Sequence, residues 1–103
     1  MKQIDRISKM EKCYEESYEA IKKMLMALDE YEKIQKSYAQ LADYYGSTLW
    51  MKDYEDDEAG KLPKDLKRGV LSEDLVYDLI QDNHEITTRL LKIITDNVKN
   101  YRY

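Results

Sequence analysis

Residues 4–28 read IDRISKMEKCYEESYEAIKKMLMAL, and their apolar side chains recur at nearly every third or fourth position. Because an α-helix makes one turn in 3.6 residues, this spacing places the apolar side chains in one stripe along a helix. The stripe consists of Ile4, Ile7, Tyr14, Tyr18, Ile21, Leu25 and Leu28. Only Glu11 interrupts it, and the period near 3.5 residues is typical of helices that pair in coiled coils.

The stripe continues beyond residue 28 with one slip in its period. Its further members are Tyr31, Ile34, Tyr38, Leu41 and Tyr45. The step from Leu28 to Tyr31 is one residue shorter than a heptad requires, which overwinds a coiled coil locally without breaking the helix. Residues 1–45 contain no Gly and no Pro, and Gly46 is suited to end a helix. The sequence therefore predicts one helix over residues 2–45.

Two further helices are predicted from their capping residues. Ser47 is a good N-cap for a short helix over residues 48–59, and Gly60 would close it. Ser72 would cap a third helix over residues 72–101, with a frayed tail after it. This third helix has a wide apolar face, which favours burial in the core. Its members are Leu75, Val76, Leu79, Ile80, Ile86, Leu90, Leu91, Ile93, Ile94 and Val98.

Composition supports an all-α protein with a single domain over residues 1–103. The chain has 103 residues with only three Gly and one Pro, fewer turn formers than a β-sandwich or barrel requires. In the connector, residues 60–71, Pro63 suits the start of a short helical turn that Gly69 would end. The simplest expectation is an antiparallel, coiled-coil-like three-helix bundle, with the short helix and the second long helix folded back on helix 1. Alternatively, part of helix 1 projects and pairs with a second copy as a homodimer.

The net charge and the distribution of apolar residues limit the functional class of the protein and its location in the cell. The net charge of −4 disfavours nucleic-acid binding, which usually requires a basic surface. The longest apolar run, residues 24–28, is too short to cross a bilayer, which disfavours a membrane partner. The first residues show no secretory signal pattern, and Cys13 is the only cysteine. We therefore expect a cytoplasmic protein without disulfides.

A run of acidic residues breaks the local rules of helix formation. Residues 46–60 carry five acidic side chains and one basic side chain, and the acids lie at the C-terminal half of helix 2, where the helix dipole is negative. Residues 61–71 carry four basic side chains and one acidic side chain. The acids are thus neutralised by this connector, by a basic partner or by a cation. A calcium loop is disfavoured, since Glu58 and Lys64 occupy positions that require Gly and Glu.

The sequence contains no pattern of residues that indicates catalysis. Cys13 and His84 are the only cysteine and histidine, so they cannot form a zinc site without other ligands. Gly46, Gly60 and Gly69 are too far apart for a phosphate-binding loop. We therefore expect no catalytic residue, no metal ligand and no cofactor, and a protein that is not an enzyme.

The central segment, residues 44–74, resembles a known family. The resemblance rests on Tyr44-Tyr45-Gly46-Ser47, Trp50, Asp53-Tyr54-Glu55, Asp57-Glu58-Ala59-Gly60-Lys61-Leu62-Pro63 and Asp65 to Asp74. These residues resemble the signature of domain of unknown function 4298, a family of small bacterial proteins. The resemblance implies a short cytoplasmic helical protein from bacteria or their mobile elements. It implies no activity, cofactor or functional residue.

The leading functional hypothesis is a non-enzymatic protein–protein interaction module. Its binding surface would be helix 2 and the connector, with Trp50 and Tyr54 as aromatic anchors. The predicted partner-binding residues are Trp50, Asp53, Tyr54, Asp57, Glu58, Lys61, Lys64, Lys67 and Arg68. The protein partner is unknown, and the tyrosine-rich stripe of helix 1 keeps a homo-oligomer open. An alternative is an acidic inhibitor that imitates nucleic acid in a basic groove, and an enzyme or a cation-binding protein ranks third.

Overall fold

A computed structural model describes residues 2–101 and shows an all-α fold. Helix α1 spans Gln3–Tyr44, α2 spans Thr48–Glu58 and α3 spans Leu75–Lys99, with a 3₁₀ turn at Gly69–Leu71. No strand occurs in the described range. The predicted fold class is therefore confirmed: a long N-terminal helix is followed by a short helix and a second long helix. Of the predicted frayed tail, residues 101–103, Tyr101 lies beyond α3 and is exposed, whereas residues 102 and 103 lie outside the described residues.

The chain divides into two compact units, Met1–Tyr38 and Ala39–Tyr103. Within the first unit, residues 3–27 of α1 are all exposed. The second unit contains the buried side chains of the described chain, which are Trp50, Leu71 and Val76. The single domain predicted over residues 1–103 stays a prediction.

The ends of α1 and α2 lie where their capping residues predict them. Gly46 has φ +80° and Gly60 has φ +72°, a left-handed conformation that other residues adopt only at a cost. Between them, the Ser47 hydroxyl accepts a hydrogen bond from the Trp50 backbone N–H at 3.2 Å and so caps α2. These local signals position α2 directly after α1.

The connector and the start of α3 differ from the prediction. Helix α3 begins at Leu75, three residues after Ser72, and residues 73 and 74 are not helical. The Ser72 hydroxyl accepts from the Leu75 N–H at 3.2 Å, as the Ser47 hydroxyl does at the start of α2, and donates to the Gly69 carbonyl at 2.8 Å. Pro63 starts a simple turn, in which the Leu66 N–H donates to the Pro63 carbonyl at 3.2 Å. Gly69 begins the 3₁₀ turn instead of ending a helical one.

The prediction that the apolar face of helix 3 is buried in the core is wrong for most of its length. Val76 is the only buried residue of α3, while Ile80 and Leu90 are half-buried. The others are exposed: Leu75, Leu79, Ile86, Leu91, Ile93, Ile94 and Val98. The buried residue lies in the first turn of α3, and α3 contacts the 3₁₀ turn of this unit. Among residues 2–101, no helix is both long and apolar enough to cross a membrane.

Candidate functional site

The Trp50 side chain is buried inside the second unit. Its side chain is 8% exposed, and its indole N–H donates to the Val70 carbonyl at 2.9 Å. Its ring stacks on Tyr54 with centroids 5.3 Å apart and meets the Tyr45 ring edge-on, also at 5.3 Å. The chain itself therefore already covers most of the ring, and the prediction that Trp50 anchors a partner stays a prediction.

Tyr54 and Tyr45 connect this aromatic cluster to the segment before α3. The Tyr54 hydroxyl donates to a carboxylate oxygen of Glu73 at 3.1 Å, and the Tyr45 hydroxyl donates to the Glu73 carbonyl at 2.8 Å. The hydrogen bond to Glu73 raises the pKa of Tyr54, and the negative charges of Glu73 and Glu58 raise that pKa further. One face of Tyr54 is thus occupied by Trp50 and its hydroxyl by Glu73.

Asp53 contacts the end of α1. The Tyr44 hydroxyl donates to the Asp53 carboxylate at 2.6 Å. This hydrogen bond, together with partial burial and the negative charge of Asp53, raises the pKa of Tyr44 to about 12. Removal of the phenolic proton would leave two negative charges in contact. Asp53 therefore fixes the junction between α1 and α2.

Two further acids of the acidic run are neutralised within the chain. Asp57 forms an ion pair with Arg68 of the connector. Asp56 lies 3.0 Å from the Lys52 ammonium and 3.9 Å from the Lys61 ammonium. The hydrogen bond to Asp56 raises the pKa of Lys52. The interpretation that the connector neutralises the acids is therefore confirmed for these two residues.

Arg68 also holds the connector closed. Besides Asp57, its guanidinium donates to the Pro63 carbonyl and, through Nε, to the Leu66 carbonyl at 3.3 Å. A planar guanidinium can serve several acceptors in this way because its N–H groups point in fixed directions. Arg68 thus ties residues 63–66 to the last turns of α2.

The remaining predicted site residues are exposed. Glu58, Lys61, Lys64 and Lys67 all lie at the surface of the second unit. Lys67 also borders an open cleft of about 290 Å³ in this unit. The cleft is lined by Tyr44, Asp53, Leu62, Leu66, Lys67, Val70 and Leu71. Its polar groups are the Tyr44–Asp53 pair and one ammonium, so it offers little chemistry beyond binding.

Cys13 and His84 are both exposed, on α1 and α3 respectively. The His84 carbonyl accepts hydrogen bonds from Thr87 at 3.0 Å and from Thr88 at 2.8 Å, which are ordinary contacts within a helix. In the described part of the chain, no group of three His, Cys, Asp or Glu residues is arranged to hold a metal ion.

Sequence reasoning missed the roles of Tyr44 and Glu73 in this segment. Tyr44 bonds a residue nine positions away, and Glu73 bonds one that is 19 positions away. No periodicity or spacing rule marks such contacts. The only signal was compositional, since acids at the end of α2 require a compensating donor.

A different candidate surface is the apolar stripe of α1. Its members in residues 4–25 are exposed, from 52% for Tyr18 to 77% for Ile4. The rings of Tyr14 and Tyr18 lie 5.9 Å apart, and the Lys22 ammonium lies 5.4 Å from the centre of the Tyr18 ring. Exposed apolar surfaces of this size are candidate interaction sites, and the stripe is interrupted only at Glu11.

Comparison with known proteins gives a family and no function. Residues 7–93 match the model of the family described as Domain of unknown function (DUF4298). The match covers the stripe of α1 from Ile7 onward, all of α2 and the connector, and α3 as far as Ile93. No curated protein and no solved structure matches the chain.

Proposed function

The chain belongs to the family described as Domain of unknown function (DUF4298), and we propose that it is a non-enzymatic protein–protein interaction protein. It binds its partner through the exposed apolar stripe of α1. It acts in the bacterial cytoplasm, where its single exposed thiol, Cys13, stays reduced.

The exposure of the stripe is the observation that carries the proposal. Each apolar side chain buried against a partner contributes about 1.5–3 kcal/mol, so several in a row supply enough driving force for association. The stripe is rich in tyrosine, which is favoured at interfaces because its ring packs while its hydroxyl reaches water. Its exposed aromatic members are Tyr14 and Tyr18, while Tyr31 and Tyr38 are half-buried.

The helix 2 and connector segment then serves as a scaffold. Its aromatic side chains and most of its acids are engaged in contacts within the chain, as described above for Trp50, Asp53 and Asp57. Exposed charges such as Glu58, Lys64 and Lys67 still affect the rate of association with a charged partner.

The acidic inhibitor is the weaker alternative. Imitation of nucleic acid needs a row of acids that face outward, and here Asp56 and Asp57 lie beside basic side chains of the same chain. Such an inhibitor would also lose affinity steeply with added salt. The proposed apolar surface would instead bind with little dependence on salt.

A tagged-protein capture experiment tests the proposal. The stripe variant is Tyr14→Ser/Ile21→Ser, and the matched control is Glu16→Ser/Lys23→Ser on the opposite face of the same helix. We expect the wild-type protein and the control to retain a common partner, identified by mass spectrometry, and the stripe variant to lose it. Circular dichroism checks that both variants keep their helix content. Retention of the partner by the stripe variant would show that α1 is not the binding surface.

A further inference from the structure

The stripe of α1 has the pattern of one strand of a two-stranded coiled coil. When Ile4 and Ile7 take the core positions a and d of the heptad, the same positions repeat through Leu28. The e positions beside the core are Ser8, Glu15, Lys22 and Asp29, and the g positions are Gln3, Met10, Ser17 and Met24. The flanking charges are thus confined to one edge of the stripe.

We propose that residues 4–34 of α1 pair with the same residues of a second copy of this chain in an antiparallel coiled coil. This pairing rests on the proposed function, because it identifies the partner of the α1 stripe as a second copy of the chain. The centre of the antiparallel coiled coil lies where Tyr18 of one copy packs beside Ile21 of the other. The next layer on either side pairs Tyr14 with Leu25.

Charge complementarity favours this register. In an antiparallel pair, the e positions of the two helices face each other, and with Tyr18 beside Ile21 the residue opposite Glu15 is Lys22 of the second copy. Symmetry makes this ion pair occur twice. The Lys22 ammonium already lies along the edge of the stripe, 5.4 Å from the Tyr18 ring centre.

Ion pairs within this part of α1 lie away from that edge. They join Glu19 to Lys23 at 3.1 Å and Glu30 to Lys33 at 3.8 Å. Glu19, Lys23 and Lys33 occupy outer positions of the heptad, and Glu30, directly before Tyr31, lies on the other edge of the stripe from Glu15 and Lys22. The helix therefore keeps its own ion pairs away from the edge where the two copies form theirs.

The slip in the heptad fits the same register. Beyond Leu28, an unbroken heptad would place Glu32 and Gln35 opposite Ile7 and Ile4 of the second copy. The three-residue step to Tyr31 places Tyr31 and Ile34 there instead. The core thus stays apolar at both ends of the paired segment.

A parallel pair is disfavoured by the one polar core position. Glu11 would face Glu11 of the second copy in a parallel dimer, and two facing carboxylates in a core layer repel each other. In the antiparallel register Glu11 faces Leu28, and the two Glu11 residues are about 25 Å apart along the axis at 1.5 Å per residue. The parallel arrangement also places Met10 opposite Glu15 and Ser17 opposite Lys22, which gives no ion pair.

Sedimentation equilibrium of the full chain tests the pairing. We expect a wild-type dimer, with a dissociation constant that rises about tenfold in Lys22→Glu and in Glu15→Lys, since each variant turns two attractions into repulsions. The double variant Glu15→Lys/Lys22→Glu should restore the wild-type value. Lys23→Glu, with the same charge change on the outer face, is the matched control and should change it little.

The direction of pairing is tested by a distance measurement. In a Cys13→Ser/Lys9→Cys protein, spin labels at residue 9 should be separated by about 30 Å along the axis in the antiparallel dimer. In a parallel dimer the axial separation would be close to zero. The distance therefore decides between the two directions independently of stability.

Three results would overturn the self-pairing. The first is a wild-type protein that is monomeric. The second is a dissociation constant that changes no more in Lys22→Glu and Glu15→Lys than in Lys23→Glu. The third is a distance between the spin labels that lacks the axial separation of about 30 Å. A monomer that still captures a different protein through Tyr14 and Ile21 would leave the proposed function standing and reject only the second copy as partner. A monomer with no partner dependent on the stripe would reject both.

Discussion

Trp50 shows how one residue type can serve two roles that the sequence does not distinguish. A large aromatic ring next to charged residues fits a binding surface and a small core equally well. In the structure Trp50 is part of the core. Its ring is covered by Tyr45 and Tyr54, and its indole N–H donates a hydrogen bond to the Val70 carbonyl. The decisive contact joins residues 20 positions apart, which local sequence cannot reveal.

Truncation of Trp50 should therefore reduce stability and not only binding. We expect Trp50→Ala to lower the free energy of unfolding by about 3–5 kcal/mol, because it removes a large side chain from the small core of the second unit. Urea denaturation followed by far-ultraviolet circular dichroism measures this change. The control is Leu49→Ala, since Leu49 lies next to Trp50 on α2 but is 69% exposed. Equal effects of the two substitutions would contradict a core role for Trp50.

Tyr44 makes stability depend on alkaline pH. Its pKa is raised to about 12 in the folded protein by the hydrogen bond to Asp53, while that of an unfolded tyrosine is about 10. The stabilisation is fully present below about pH 10 and is lost as pH rises towards about 12, because the unfolded chain releases the proton first. We expect the stability difference between the wild-type protein and Tyr44→Phe to shrink over this range. Urea denaturation at about pH 8 and about pH 11 measures it, and a constant difference would contradict the effect.

At the scale of elements, the ends that depend on local chemistry were predictable. Gly46 and Gly60 end their helices with positive φ, and Ser47 caps α2. The start of α3 was predictable only in part. Ser72 accepts the hydrogen bond from the Leu75 N–H that an N-cap is expected to accept, but residues 73 and 74 are not helical and the helix begins at Leu75.

The connector depends on Arg68 for its conformation. We expect Arg68→Ala to open residues 59–68, because one side chain supplies the contacts to Asp57, Pro63 and Leu66. Loss of the partner of Asp57 should also lower the free energy of unfolding by about 1–3 kcal/mol. Limited digestion with a lysine-specific protease measures the opening as faster cleavage after Lys64 and Lys67.

The choice of protease keeps this experiment interpretable, since the substitution removes no lysine. Arg89→Ala on the exposed surface of α3 is the matched control, with the same chemical change outside the connector. Cleavage in the connector should be unchanged in that variant. A connector that is cut at the same rate in Arg68→Ala as in the wild-type protein would contradict the role of Arg68.

At the scale of the whole molecule, periodicity predicted which helix faces are apolar but not what covers them. The apolar face of α3 was read correctly as a face, and the 3.5-residue repeat of α1 stays a prediction. Burial was then assumed for α3, and Ile86 and Ile93 are instead about half exposed. An apolar stripe predicts that one face of a helix packs against another surface. The pattern is the same whether that surface belongs to the same chain or to another chain.

The two compact units lead to a final prediction about separate fragments. We expect a fragment of residues 39–103 to fold alone, because the contacts of Tyr44 with Asp53, Tyr45 with Glu73 and Trp50 with Val70 all lie within it. Trp50 fluorescence and a cooperative urea transition measure its folding. A peptide of residues 1–38 has no buried side chain among its described residues, so its helix content should rise with peptide concentration as copies pair. An unfolded 39–103 fragment, or a peptide whose helicity is independent of concentration, would contradict this division of roles.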